Sequence, residues 1–340
     1  MMIRVAMISF WHVHARDYTR QASEHPETEI VAAWDEDPER GRAKAEQLGV
    51  RFYETLAELL AQPDIDGVII GTPTNVHRDV LIAAAQAGKH IFTEKVIAST
   101  QHECNEIVVA VEQAGVKLTV SLPRLNAGYT QAIREIIDRQ LLGKLTLVRV
   151  RLSHNGAIST AENPAGWLPE HFFHLEQCAG GAMIDLGCHP MYLTRLFLGL
   201  PERVSANYGY VTGHEVEDNA VVTLHYPDGA IGVVEAGFVN RFSPFSIEVH
   251  GTEGSLLYGT PTDTLLIRSA IADAHSSQQW SPYPLPAELP SAFQQWIEHI
   301  KQGTTASENI QLATDLSALM EAANLSAASK QSVSLESLTH

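Results

Sequence analysis

The apolar positions in the first third of the chain fall in short continuous runs: Ile3 to Ile8, Ile30 to Trp34, Gly67 to Ile70, Ile91 to Phe92 and Leu118 to Val120. Runs of this length predict strands buried on both faces, as in a parallel sheet covered by helices. Helix-period segments separate them. Pro38 to Leu48 opens on a proline and stops at Gly49, and Val76 to Ala87 stops at Gly88. Proline suits a first turn whose N–H has no partner, and glycine suits the left-handed exit. The pattern is that of a doubly wound α/β unit.

From about Thr146 the texture changes. Thr146 to His154, Val204 to Val211, Asn219 to Tyr226 and Ala230 to Val239 alternate in part, and Pro227-Asp228-Gly229 marks a hairpin between the last two. Phe245 to His250, Ser255 to Tyr258 and Thr264 to Ile267 add further strands, and Ala292 to Ile300 and Ile310 to Ala328 return to helix period. These predict an open-faced, mostly antiparallel sheet with C-terminal helices. A chain of 340 residues exceeds one ordinary core, so we expect two domains, 1–122 and 123–340.

Composition narrows the classes of function. With 45% hydrophobic residues the chain can bury a sizeable interior, and no apolar stretch reaches the ~20 residues of a membrane span. A net charge of -17 argues against nucleic acid as a partner, since that binding draws on lysine and arginine patches. The strand-like start, without the parts of an export signal, points to the cytoplasm. Cys104, Cys178 and Cys188 lack CxxC spacing and read as buried thiols.

The residues with chemistry lie at predicted strand ends. Asp35 closes the second run, where an acidic residue commonly accepts from an adenosine ribose and so favours NAD over NADP; it reads equally well as a cap of the following helix. The loop after the first run is Ser9-Phe10-Trp11-His12-Val13-His14, where a nucleotide fold expects G-x-G-x-x-G. It has no glycine, so Trp11 must swing aside or push a cofactor outward. His12 and His14 form an H-x-H pair without a third ligand, read here as pocket lining and not as a metal site.

Gly71-Thr72-Pro73-Thr74-Asn75-Val76-His77 follows the next run and opens a helix, which brings it to the same sheet edge, although Thr74 or Asn75 read singly as plain helix caps. Glu94-Lys95 ends the run after that. Downstream, Gly180-Gly181 leads into a helix-period segment to Leu198, with Asp185 and His189 four apart on one face. A lysine can stabilise an alkoxide, a histidine can take its proton, and an aspartate can orient either.

Thr72-Pro73-Thr74-Asn75-Val76-His77, Ala87-Gly88-Lys89-His90, Glu94-Lys95, the Asp185 to His189 motif, His250-Gly251-Thr252-Glu253-Gly254 and the closing helix from Ser307-Glu308-Asn309 together resemble the glucose-fructose oxidoreductase and inositol dehydrogenase family, Gfo/Idh/MocA, over nearly the whole chain. The resemblance implies an NAD(P)-binding Rossmann domain at 1–122 and a substrate-binding open-sheet domain at 123–340. It implies oxidation or reduction of a sugar or cyclitol hydroxyl, with Lys95, Asp185 and His189 as catalytic residues. Arg124 and Tyr129 are implied as their neighbours.

Phe10, Trp11, His12, Val13, Asp35, Thr72, Pro73, Thr74, Asn75, His77, Glu94 and Lys95 are the expected cofactor contacts. Asn155 to Ala179 is expected to form a loop over the substrate, with Trp167, His171 and His174 available to touch it. An open sheet face suggests a dimer or tetramer. One departure is Val96 where proline usually follows Glu-Lys, which argues against a cis bond there by ~3 kcal/mol. Two alternatives use the same residues. His171, His174, Asp185 and His189 can be drawn as a divalent-metal site of a sugar isomerase or hydrolase, with captive NAD or none, and the fold also suits a non-catalytic nucleotide sensor.

Overall fold

The computed structural model describes residues 2–164, 166–271 and 277–338. It divides into two compact units, Met1–Ser121 with Pro290–Thr314, and Leu122–Leu289 with Asp315–His340. The division expected between residues 122 and 123 is therefore not linear along the chain. The reason is the helix Ala292–Gln302, whose buried Phe293, Trp296 and Ile297 join the core of the first sheet. Phe92 and Phe293 meet edge to face at 5.4 Å, Tyr18 meets Phe92 at 5.2 Å, and Trp296 Nε1 donates to Lys117 O at 3.2 Å.

The first unit holds a six-stranded parallel sheet in the order β3-β2-β1-β4-β5-β6. Its strands are β1 (Ile3–Ile8), β2 (Thr28–Trp34), β3 (Arg51–Phe52), β4 (Gly67–Ile70), β5 (His90–Thr93) and β6 (Leu118–Val120). Five were predicted. The two-residue β3 is too short to leave a period. In the register Ile8 pairs with Trp34 and Ile70, and Ile70 pairs with Thr93. One residue further, Asp35, Ser9, Gly71 and Glu94 therefore stand in a row along one sheet edge. The order reverses between β1 and β4, and ligands of open α/β sheets bind at such a switch point.

The second unit holds nine strands in the order β14-β13-β12-β11-β7-β10-β9-β8-β15. They are β7 (Leu145–Ser153), β8 (Arg203–Gly209), β9 (Asn219–His225), β10 (Ile231–Gly237), β11 (Ser246–Gly251), β12 (Gly254–Gly259), β13 (Thr264–Ser269), β14 (Ser281–Tyr283) and β15 (Val333–Ser334). Among the described residues of this sheet only the β7–β10 pairing is parallel. Val148, Val150, Val234 and Ala236 are buried, and the helix Cys188–Leu198 packs on β7 and β10. On the opposite pleat Glu235 takes Arg149 at 2.6 Å. The three cysteines are buried, and among the described residues no helix is long and apolar enough to cross a membrane.

Candidate active site

The loop after β1 keeps a glycine-type turn without glycine. Ser9 has φ +71°, a left-handed conformation uncommon for a residue with a side chain. The loop is pinned on both sides of the switch point. Ser9 N–H donates to Trp34 O at 2.7 Å and His12 N–H to Gly71 O at 3.1 Å. Trp11 is buried, at 6% exposure. Phe10 and His14 are half-buried in this loop and Val13 is exposed.

The structure corrects one sequence reading of Asp35, that of helix cap. Asp35 is buried, and its oxygens accept from Phe10 N–H at 2.8 Å, Asp37 N–H at 2.8 Å, Arg40 Nε at 3.0 Å and Arg40 Nη2 at 2.6 Å. Four donors share the two carboxylate oxygens, so a ribose hydroxyl there would compete with Arg40 for them. The helix cap is Asp37, which accepts from Glu39 N–H at 3.0 Å. Glu36, unremarked in the sequence, is partly exposed and shares Arg40 at 2.7 Å. Burial pushes its carboxyl upward, against a hydrogen bond from Ser9.

After β4, neither Thr74 nor Asn75 caps a helix. The chain makes a 3-10 turn at Thr74–Val76 and then the helix His77–Gln86, with no side-chain cap on either. Pro73 is buried, and Thr72 Oγ1 is buried with no hydrogen-bond partner among the described residues. His77 is not presented to a ligand. It is fully buried and bridges Val96 O at 2.9 Å and Thr72 O at 3.1 Å; burial pushes its pKa down, against those two bonds. The Lys95–Val96 peptide is cis, contrary to the expectation from Val96. That expectation weighed the isolated amide, whereas here Val96 is buried and its carbonyl is held by His77.

Lys95 is only 4% exposed, not the solvated lysine that is the default. Beside it Glu94, at 1%, accepts from Lys95 N–H at 2.9 Å through Oε1. Its Oε2 accepts from Tyr18 OH and lies 3.0 Å from His14 Nδ1 and 3.3 Å from His12 Nδ1. Burial alone would raise this carboxyl; the nearby His12 and His14 outweigh it and hold it well below the usual range. The third ligand that the H-x-H pair lacked is thus Glu94, with candidate ligand atoms all within 4.8 Å of one another.

In the second unit, Asp185 sits in a π-helical turn, Met183–Gly187, which runs into the helix Cys188–Leu198 carrying His189. An α-helix was expected throughout; wide turns of this kind occur mostly as single turns and often at functional sites. Glu217 holds the turn, accepting from Gly181 N–H and Met183 N–H at 2.9 Å each, while its backbone oxygen accepts from Ala182 N–H at 2.8 Å. A side chain at Gly181 would run into that same backbone carbonyl. Burial pushes the Glu217 carboxyl up to about 7, against the two N–H donors.

Asp185 is half-buried and His189 is 6% exposed, with His189 Nδ1 at 3.4 Å from Tyr192 OH. Tyr192 in turn accepts from Arg124 N–H at 2.9 Å, and Arg124 Nη1 donates to Tyr129 OH at 3.1 Å. Arg124, Tyr129 and His189 are therefore linked through Tyr192, a residue no motif singled out. Of the loop from Asn155 to Ala179, Ala165 lies outside the described residues. Trp167 is half-exposed, leans on His154 at 4.6 Å and donates to Asn155 at 3.3 Å. His171, His174, Asp185 and His189 do not gather as a ligand group among the described residues, so the expected second metal arrangement is not formed.

A switch-point edge carrying a buried lysine, and an open-sheet unit carrying an Asp/His turn, define an oxidoreductase of the two-unit nucleotide-binding class. Residues 3–122 match the oxidoreductase family with an NAD-binding Rossmann fold, and residues 130–257 match the GFO/IDH/MocA C-terminal domain. The chain is 30% identical over 325 residues to a 1,5-anhydro-D-fructose reductase of Ensifer adhaerens, covering 92% of this chain and 95% of that one. It is 32% identical to the scyllo-inositol 2-dehydrogenase (NAD(+)) of Bacillus subtilis (strain 168), covering 66% of this chain and 65% of that one. A levoglucosan dehydrogenase solved with NADH and levoglucosan shares the fold at a TM-score of 0.81 and 21% identity, covering 98% of this chain and 100% of that one. This chain belongs to the Gfo/Idh/MocA family of NAD(P)-linked oxidoreductases.

Proposed function

We propose that the protein moves a hydride between a nicotinamide cofactor and a secondary hydroxyl or ketone of a sugar, sugar derivative or cyclitol. The observation that carries this reading is the in-register edge of Ser9, Gly71 and Glu94 beside a buried Lys95. The edge suits a dinucleotide. The left-handed Ser9 preserves the loop, the Trp11 ring is out of solvent, and the buried Thr72 hydroxyl lacks the partner that a ligand polar group supplies. Phe10, His12, Val13, Thr72, Pro73, Thr74 and Asn75 would line it. When bound, the nicotinamide supplies the hydride acceptor at C4.

In this reading His189 accepts the hydroxyl proton, Lys95 stabilises the alkoxide and Asp185 orients His189 or an adjacent hydroxyl. Arg124, Tyr129, Trp167 and His171 would meet the rest of the polyol. NAD is the preferred cofactor over NADP. Asp35, Glu36 and Asp37 stand together with Arg40 committed to the first two, so a 2′-phosphate would face net negative charge. The 1–122 segment would bind the nucleotide and 123–340 the substrate, with Pro290–Thr314 as a structural return to the first unit. A dimer or tetramer is the expected assembly. Following nicotinamide absorbance with NAD and NADP against sugars, glycosides and inositols tests the activity class. Reduction with at least one polyol is expected, and cofactor binding with no reduction across the panel contradicts it.

A further inference from the structure

We propose that His12, His14 and Glu94 form a binding site for a divalent transition-metal ion, of the zinc and cobalt type. The site lies entirely in the first unit, where the H-x-H loop after β1 and the residue following β5 reach the same sheet edge. An ion held ~2.0 to 2.2 Å from nitrogen and oxygen donors keeps neighbouring ligand atoms about 2.9 to 3.5 Å apart, from octahedral to tetrahedral geometry. The separations of 3.0 Å from His14 Nδ1 and 3.3 Å from His12 Nδ1 to Glu94 Oε2 fall inside that interval.

The donor set fits, as do these two spacings. Two imidazoles and one carboxylate make a set that zinc and non-haem iron sites use with one or more positions left open. Glu94 is buried and its orientation is fixed from outside the set, by Tyr18 OH on Oε2 and Lys95 N–H on Oε1. Such outer partners hold ligating groups in place, and Tyr18 is itself held edge to face against Phe92 at 5.2 Å. An ion would replace two bonds, the one between His14 Nδ1 and Glu94 Oε2 at 3.0 Å and the one from the His14 backbone N–H to His12 Nδ1 at 3.2 Å.

Hydride transfer to a nicotinamide needs no metal, so this goes beyond the proposed reaction and is tested apart from it. Chelator-treated protein is titrated with Co(II) and Zn(II) by calorimetry, with visible Co(II) absorption recorded, on the wild type and on His12→Ala and His14→Ala. His14 is 40% exposed, so its replacement should leave the fold intact, which circular dichroism checks. One ion per chain with Co(II) ligand-field bands is expected, weakened about a hundredfold or more in either variant. No saturable binding to the wild type, or binding unchanged in folded His14→Ala, overturns the site. Both readouts are of metal binding alone, and nicotinamide reduction is assayed separately.

Discussion

Glu217 makes a quantitative prediction. It is 3% exposed, and it holds the turn that carries Asp185. A carboxyl that titrates near 4.5 in the unfolded chain and at about 7 in the folded one binds its proton more tightly when folded by about 3 kcal/mol. Its contribution to stability is therefore full below pH ~4.5 and is lost as pH rises through about 7. Glu217→Gln removes the titration, although one amide carbonyl accepts from only one side of the pair of N–H groups that the carboxylate served. The variant should be the less stable protein at pH ~4.5 and recover relative to wild type by up to about 3 kcal/mol by pH ~8. Urea denaturation of both proteins across that interval, followed by far-UV circular dichroism, reads the difference directly. Other titrating groups are common to both and cancel. A stability difference that is flat with pH would refute the reasoning, and would mean that the two N–H donors offset the burial of the charge.

Lys95→Ala should lower turnover by ~10² to 10⁴ with the fold retained; unchanged turnover removes Lys95 from the chemistry. Asp35→Ser releases Arg40 from one of its two carboxylate partners and takes away one negative charge, so the ratio of kcat/KM for NADP to that for NAD should rise about tenfold or more, and an unmoved ratio contradicts the charge argument. Trp296→Ala opens a cavity in the first core and should cost about 3 to 5 kcal/mol in denaturant unfolding, whereas a loss below about 1 kcal/mol would show that the helix Ala292–Gln302 is not part of that core.

Long apolar runs made the first sheet legible. Buried parallel strands have no polar face to interrupt them, and the glycine and proline stops marked the helices between. The strands that escaped notice, β3, β14 and β15, have two or three residues and too few positions to show any period. The return of Phe293 and Trp296 to the first core was invisible for another reason. An amphipathic stripe announces that it will be buried but not against what.

At the site, identity was easier to read than engagement. Lys95, Glu94, Asp185 and His189 stood out by motif, yet the filling of Asp35 by Arg40, the carbonyl bridge made by His77 and the convergence of His12 and His14 on Glu94 depend on side chains brought together from separate strand ends. Glu217 and Tyr192 went unnoticed because each works by holding another group, and such a role leaves no spacing signature. The cis bond before Val96 was misjudged because residue type sets only the isolated cost, and buried partners decide the isomer.

The proposed reaction transfers a carbon-bound hydrogen from a polyol to the nicotinamide. A polyol that supports reduction, deuterated at its carbinol carbons, is turned over with NAD, and the isolated reduced cofactor is analysed by mass spectrometry and proton NMR. One deuterium at C4 of the nicotinamide ring is expected, with the label lost from the carbon that becomes the ketone. Conversion of the polyol with the cofactor left free of deuterium would contradict that transfer.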